Sequence, residues 1–248
     1  MPKPPPRSHP SIIVNVLGAV ELIGAADGDS LLAQPKRLAV FLYLLLAQPR
    51  GFHRRDRLLG MFWPESSDHH ARGALRKALH GIRQALGDDV LVARGDDEIA
   101  VDADRVTCDA AEFDAAAREG QLARMLEIYR GDLLTGFFAD AAGFERWLED
   151  ERTRLQDLAA QAAWGIAELY ETDESLTLAA RWARQAARLA RGDERRIRKI
   201  MQLLHRAGDR ASAIEVYEIF ARTLRSELEV EPSPETQELA RVIRTTGG

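Results

Sequence analysis

The spacing of apolar and polar residues changes along the chain and divides it into two parts. The first part opens with a β-type run, SIIVNVLGAVEL, and a turn-rich stretch at residues 24–30. Apolar residues then recur every three or four positions over residues 35–47, 54–62 and 68–87, which predicts three helices. The following VLVARGDDEIAVD has two short strand-like runs around a Gly-Asp-Asp turn and predicts a β-hairpin. From residue 109 onward the helical spacing is sustained to the end.

This order of elements, a strand pair, three helices and a hairpin, is typical of a winged helix, whose third helix enters the major groove of DNA. After residue 109, Trp182 and Leu189 recur 35 residues later as Tyr217 and Leu224, a period that suits tetratricopeptide-like helix pairs. We therefore predict a mainly α fold with a small β component. It consists of an N-terminal winged helix-turn-helix followed by an all-α tetratricopeptide-like helical repeat domain.

The predicted domains follow these changes in pattern and composition. Residues 1–11 are rich in proline and predict a disordered arm, residues 12–104 the winged-helix domain, and residues 109–246 the helical domain. The arm lacks the apolar stretch of a secretory signal. The longest apolar run, LAVFLYLLLA, is about half of the roughly 20 residues that a membrane span requires. We therefore expect a cytoplasmic protein with no membrane partner.

The third predicted helix, within HHARGALRKALHGIRQALGD, is basic over its whole polar side. One stripe of this helix collects the apolar residues Ala71, Leu75, Ala78, Leu79, Ile82 and Leu86. The opposite arc is free of carboxylates and holds His69, Arg72, Gly73, Arg76, Lys77, His80, Arg83 and Gln84. Such a face can pair with DNA phosphates and reach base edges, and the small Gly73 permits a close approach.

Charge is distributed unevenly along the chain, although the net charge is −5. Residues 36–87 carry ten Lys or Arg against three Asp or Glu, whereas residues 88–248 carry 22 bases against 33 acids. A positive field confined to one module attracts a polyanion. The acidic remainder is repelled by DNA, so we expect it to face elsewhere.

Other kinds of chemistry find little support in the sequence. Cys108 is the single cysteine, which excludes an internal disulfide and leaves no second thiol for a zinc site. The adjacent His69 and His70 point about 100° apart on a helix, which does not suit a shared metal. No Gly-rich phosphate loop follows a strand, and no serine, histidine and acid form a nucleophile motif. We expect no enzyme activity, no metal and no cofactor.

Four stretches carry a family resemblance: HARGALRKALHGIRQALGDD, YRGDLLTGF, FERWLEDERTRL and, most specifically, AGDRASAIEVYEIFARTLRSELEVEPSPET. They resemble the Streptomyces antibiotic regulatory protein (SARP) type of bacterial transcriptional regulator, a winged helix followed by a bacterial transcriptional activator domain (BTAD). The resemblance covers about residues 12–244. It implies that the winged helix binds repeated sites near promoters, and that the helical domain supports oligomerisation and contact with RNA polymerase.

The expected function is that of a sequence-specific DNA-binding transcriptional regulator that activates promoters. The residues expected to face the major groove or its flanking phosphates are Arg72, Arg76, Lys77, His80 and Arg83, with His69 and Gly73 on the same arc. Second-rank phosphate contacts are expected from Lys36, Arg37, Arg54 and Arg55. In the hairpin, the carboxylates of Asp96, Asp97 and Glu98 should be repelled by a minor groove, which leaves Arg94 as the wing contact.

The competing hypothesis is a tetratricopeptide-like protein-protein interaction scaffold whose winged helix no longer binds DNA. Double-stranded DNA and RNA polymerase are the expected partners in the first hypothesis, whereas the second needs no DNA. The sequence identifies no interface for a homo-oligomer on DNA, and it leaves open whether a small-molecule effector binds the helical domain.

Overall fold

The computed structural model describes residues 12–190 and 192–245. The predicted disordered arm at residues 1–11 lies outside the described residues. The described part is mainly helical and has a small β component near its N-terminus, which confirms the predicted fold class.

Internal contacts divide the chain into two compact units. The first unit comprises the residues up to 115 together with 128–152, and the second comprises 116–127 together with the residues from 153 onward. The elements up to residue 108 are β1 (Ile12–Asn15), β2 (Glu21–Ile23), α1 (Gly28–Leu32), α2 (Pro35–Leu46), β3 (His53–Arg54), α3 (Arg55–Phe62), α4 (Asp68–Leu86), β4 (Leu91–Arg94), β5 (Glu98–Val101) and β6 (Val106–Cys108). They are followed by α5 (Asp109–Arg118), α6 (Leu122–Ile128), α7 (Ala142–Thr172), α8 (Leu176–Leu189), α9 (Glu194–Arg206), α10 (Arg210–Leu228) and α11 (Pro234–Thr245).

The first unit contains two small sheets. In one, β1 lies between β2, which is antiparallel to it, and β6, which is parallel to it. In the other, β5 lies between β3 and β4, and both pairs are antiparallel. The hairpin of β4 and β5 pairs Leu91 with Val101 and Arg94 with Glu98, and Gly95 takes a φ of 60° in its turn. This hairpin is the predicted wing.

The helices of the first unit pack around α2, which is almost completely buried. Its residues from Leu38 to Leu44 are each no more than 2% exposed, and α2 packs against α1, α3 and α4. The short α1 differs from the prediction, which placed only turns at residues 24–30. Its five residues are held by burial of Leu31, and the backbone N–H of the preceding Asp27 donates to the carbonyl of Ala85 (3.1 Å).

The segment at residues 128–141, between α6 and α7, belongs to the first unit although the predicted helical domain included it. The backbone N–H of Leu134 donates to the carbonyl of Val16 (2.8 Å). The guanidinium of Arg152 donates to the carbonyls of Leu133 and Leu134, both at 2.8 Å. The bond between Leu134 and Val16 joins residues more than a hundred positions apart, so the division of the chain by contacts differs from the domain bounds drawn along the sequence.

An aromatic cluster anchors the start of α7 in the first unit. The ring centroid of Trp147 lies 4.9 Å from that of Tyr43 and 5.3 Å from that of Phe144. Tyr43 also packs against the buried imidazole of His53 at 5.5 Å. Burial, reinforced by the nearby charge of Arg57, lowers the pKa of His53 below its ordinary value, which keeps the ring neutral. The cluster makes the first residues of α7 part of the winged-helix core.

In the second unit, α8 with α9 and α10 with α11 form two successive helix pairs, as the 35-residue period predicted. In this unit, the Gly-Asp dipeptides at residues 192–193 and 208–209 each form a turn, and the aspartate of each caps the helix that follows. Gly192 and Gly208 take φ angles of 68° and 78°, which favour glycine. The carboxylate of Asp193 accepts from the backbone N–H of Arg196, and that of Asp209 accepts from Ser212. The helix pairs enclose a core of small and aliphatic side chains.

Asp209 stabilises the second unit in two ways, because it caps α10 and forms an ion pair with Arg184 of α8. Although burial raises the pKa of Asp209, the hydrogen bonds from Ser212 and the charge of Arg184 hold it below its ordinary value. We predict that Asp209→Ala lowers the free energy of unfolding by about 1–2 kcal/mol at pH 7, measured by urea denaturation.

The matched control is Asp173→Ala, which removes an exposed carboxylate and should change stability by no more than about 0.5 kcal/mol. Because the pKa of Asp209 is lower in the folded state than in the unfolded state, its ionised carboxylate stabilises the fold at pH values above the unfolded pKa of about 3.9. The difference in free energy of unfolding between Asp209→Ala and the wild type should therefore narrow as the pH falls from about 3.9 through the lower pKa that Asp209 has in the folded state. A difference that is absent at pH 7 would contradict this role of Asp209.

Candidate nucleic-acid interface

The two faces of α4 are separated as the sequence predicted. On its aliphatic side, Ala71, Leu75, Ala78, Leu79, Ile82 and Leu86 are all buried. On the opposite side, His69, Arg72, Arg76, Lys77 and His80 are exposed, and Gly73 and Arg83 are partly exposed. The structure thus brings the first-rank predicted residues together on one solvent-facing surface, which we call the basic face of α4.

The basic face is only lightly neutralised by acids. Arg72 Nη2 lies 4.0 Å from Asp56 Oδ1, and Arg54 Nη2 lies 3.8 Å from Asp56 Oδ2. All three side chains are more than 60% exposed, so these contacts contribute little and can be exchanged for phosphates. Among residues 12–190 and 192–245, no acid forms an ion pair with Arg76, Lys77, His80 or Arg83.

The N-terminal end of α4 follows Ser67. Ser67 occupies the cap position, but its side chain does not bond to a backbone N–H of the first turn. Its Oγ instead lies 2.8 Å from Nδ1 of His70. At the other end, Gly87 terminates the helix with a φ of 109°, as expected for a glycine.

Arg37 adds a cation to α4 through a contact that the sequence did not reveal. Its guanidinium lies over Gly81, where a Cβ atom would come within 2.3 Å of the Arg37 Cζ. Lys77 and Gln84 lie on the same side of the helix as Gly81, one turn away in either direction. A glycine inside a basic helix was the only available signal for this contact. Lys36 lies next to Arg37 in the first turn of α2, and it is also partly exposed.

The remaining second-rank residues lie beside the wing. Arg54 and Arg94 stand on β3 and β4, and both are opposite Glu98 of the central strand β5. The Arg94 Nε lies 2.5 Å from Glu98 Oε2, and this hydrogen bond holds the pKa of Glu98 below its ordinary value. The Arg94 guanidinium also lies 4.5 Å from the ring centroid of Phe52. The predicted wing arginine is therefore already engaged by its own sheet.

Arg55 is partly buried at the start of α3. Its backbone N–H donates to the carbonyl of Asp97 in the wing turn (2.8 Å). Its Nε is buried and has no hydrogen-bond partner in the part of the chain that the structure describes. The backbone contact ties the beginning of α3 to the wing, so Arg55 supports the position of the wing.

The described residues contain no group of three or more His, Cys, Asp or Glu side chains that could hold a metal ion. None of the helices they form combines the length and apolar character that crossing a membrane requires.

A winged helix whose helix α4 carries a cationic face, followed along the chain by tetratricopeptide-like helix pairs, is the architecture of a class of bacterial transcriptional regulators. The chain belongs to the bacterial transcriptional activator domain family, whose match covers residues 98–244. This match confirms the prediction that the chain is a transcriptional regulator of the SARP type.

Two known proteins show how far the similarity extends. The regulatory protein AfsR of Streptomyces coelicolor is 29% identical over 233 residues, which are 88% of this chain and 23% of AfsR. The chain therefore spans about a quarter of the length of that relative. The structure of Mycobacterium tuberculosis EmbR in complex with a low-affinity phosphopeptide is 19% identical, with a TM-score of 0.54. That likeness covers 94% of this chain and 65% of EmbR, and it shows a shared fold.

Gly73 lies in the middle of the basic face and has open space where a side chain would project. A glycine inside a helix is less favourable than alanine by roughly 0.5–1 kcal/mol. We predict that Gly73→Ala raises the free energy of unfolding by about that amount, measured by urea denaturation. In the matched variant Gly81→Ala, the new methyl group displaces the Arg37 guanidinium and the gain should be smaller. A loss of stability in Gly73→Ala would show that position 73 is constrained within the folded chain.

Proposed function

We propose that the protein is a sequence-specific DNA-binding transcriptional activator whose α4 enters the major groove. The observation that carries this proposal is the basic face of α4, exposed to solvent and largely free of ion pairs within the described residues. A helix diameter fits the major groove, and arginine is suited to bidentate contacts with guanine. The first-rank contacts are Arg72, Arg76, Lys77, His80 and Arg83, with His69 and Gly73 beside them.

The second-rank residues would contact the phosphate backbone on either side of the groove. Arg37 reaches the same helix over Gly81, and Lys36 precedes it in the first turn of α2. Arg54 and Arg55 lie at the start of α3, where a helix N-terminus also favours an anion. Arg94 would exchange its partner Glu98 for a phosphate, since the neighbouring carboxylates disfavour deeper insertion of the wing.

The helical domain would supply contacts to RNA polymerase and between copies of the chain bound at repeated sites. Support for this role comes from the family and from the description of AfsR as a regulatory protein. The excess of acids over bases in residues 88–248 favours a protein partner over DNA for this part of the chain. An interaction scaffold that has lost DNA binding would not require an exposed basic face on α4, so this face favours the DNA-binding proposal over the scaffold alternative.

Arg76→Ala tests the proposal, because Arg76 is exposed at the centre of the basic face. Operator fragments would first be selected from genomic DNA with the wild-type protein, and affinities then measured by fluorescence anisotropy. We predict that Arg76→Ala weakens binding by roughly 1–3 kcal/mol if this side chain reads a base. Wild-type affinity should fall with salt at a log-log slope of about −4 to −5, as for about five phosphate contacts.

The matched control is Arg222→Ala, which removes an exposed arginine from α10. Its affinity for the selected DNA should equal that of the wild type, with the same salt dependence. Equal weakening by both variants would indicate a general effect of net charge. If the wild-type protein enriches no genomic DNA fragment at either of two salt concentrations, the activator proposal is wrong and the scaffold alternative is favoured.

A further inference from the structure

The helices α8 and α9 form a basic region within the acidic part of the chain. Residues 176–206 carry nine Lys or Arg against two Asp or Glu, although residues 88–248 as a whole have more acids than bases. Bases therefore exceed acids in this region by as much as they do in residues 36–87, which contain α4. A local excess of this size attracts a polyanion.

The helix α9 presents part of this charge along one exposed stripe. Its buried side is apolar and consists of Ile197, Ile200, Met201, Leu203 and Leu204. The opposite side has an exposed residue at every third or fourth position, namely Arg195, Lys199, Gln202 and Arg206. We call these four residues the basic stripe of α9. At 1.5 Å per residue the stripe is about 16 Å long, and burial of the apolar side holds it toward solvent.

The two acids of the region are engaged in contacts within the second unit. The carboxylate of Asp193 caps α9 and accepts from the backbone N–H of Arg196 (3.0 Å). Glu194 Oε1 accepts from the backbone N–H of Ser233, just before α11 (2.7 Å). Both carboxylates therefore serve the packing of the helices, and the stripe itself contains no acid.

The cations of the stripe are available to an external partner. Within the described ranges, no acid forms an ion pair with Arg195 or Lys199. Arg206 pairs with Glu171 of α7, but its side chain is 62% exposed. An ion pair at such an exposed position contributes little to stability, so Arg206 can exchange Glu171 for another anion.

The composition of the stripe favours phosphates over the surface of a protein. None of its four side chains is apolar, whereas the centre of a protein-protein interface is enriched in apolar and aromatic side chains and depleted in lysine. Contacts of arginine and lysine with DNA phosphates require no apolar surface. Each DNA strand carries a phosphate about every 3.4 Å along the helix axis. A stripe of about 16 Å therefore meets several phosphates whatever the base sequence.

We propose that the basic stripe of α9 is a second, sequence-independent contact with duplex DNA, in which Arg195, Lys199 and Arg206 bind phosphates. This inference goes beyond the proposed function, because it assigns a DNA contact to the helical domain. The acidic surface of the rest of that domain is repelled by DNA, so the contact is confined to α9. Its contacts add to the roughly five expected from the winged helix wherever the duplex is long enough to reach both.

A long fluorescent duplex of scrambled sequence tests the stripe without any operator. Its binding to the full chain would be measured by anisotropy over a series of salt concentrations. The variant that combines Arg195→Gln with Lys199→Gln removes two charges at exposed positions, and glutamine is a good helix former. We expect its log-log salt slope to be shallower than that of the wild type by about two, one for each lost phosphate contact.

A matched control combines Arg118→Gln with Arg222→Gln, which removes the same charge from exposed positions of α5 and α10. Its salt slope should equal that of the wild type. A second control exchanges the two cations, Arg195→Lys with Lys199→Arg, and should also keep the wild-type slope. If both neutralising variants lose the same slope, the effect is one of net charge and the proposal is overturned.

Two further outcomes would also overturn the proposal. One is a wild-type slope in the variant with Arg195→Gln and Lys199→Gln. The other is an unchanged slope together with a loss of self-association in velocity sedimentation, which would assign the stripe to a second copy of the chain. Failure of the proposed function is distinguishable, because Arg76→Ala is measured on selected operator DNA and the α9 variants on scrambled DNA.

Discussion

The aliphatic side of α4 can be buried in only one orientation, and this constraint determines what the winged helix presents to solvent. Leu75, Leu79 and Ile82 are each no more than 3% exposed beneath the helix. Rotation by a single residue, about 100°, would bring Arg72 and Arg76 into the core, where unpaired charges are very unfavourable. The same packing that stabilises the domain therefore holds the cations outward.

The rest of the first unit is held together by contacts between distant parts of the chain. The carboxylate of Asp109 accepts hydrogen bonds from the backbone N–H groups of Val16 and Leu17 at 3.0 Å, and the 128–141 segment adds its bonds to the same region. Tyr43 and Trp147 extend the core to the start of α7. A segment that resembles the activator domain in sequence thus completes the winged-helix unit, while the Gly-Asp caps and small side chains of the repeats build the second unit independently.

Local patterns predicted α2, α3, α4, the hairpin and the repeat period, because each depends on spacing within a few residues or on a regular period. They did not predict α1, whose five residues are held by the burial of Leu31, or β6, which pairs in parallel with a strand about ninety positions earlier. Exposure of the basic face followed from helical periodicity alone. The guanidinium of Arg37 over Gly81 and the pairing of Arg94 with Glu98 depend on tertiary contacts and on strand register, which spacing does not specify.

DNA cleavage from a fixed point on α4 tests the central claim most directly. The native Cys108 is only 2% exposed, and burial, with the adjacent charge of Asp109, raises the pKa of its thiol to about 12, so a thiol reagent will not label it. An iron-chelate cleavage reagent would be attached to His80→Cys and, as the matched control, to Arg222→Cys. The account predicts strand cleavage within the selected operator from position 80 and none from position 222. Operator binding without cleavage from position 80, or cleavage from position 222 alone, would contradict it.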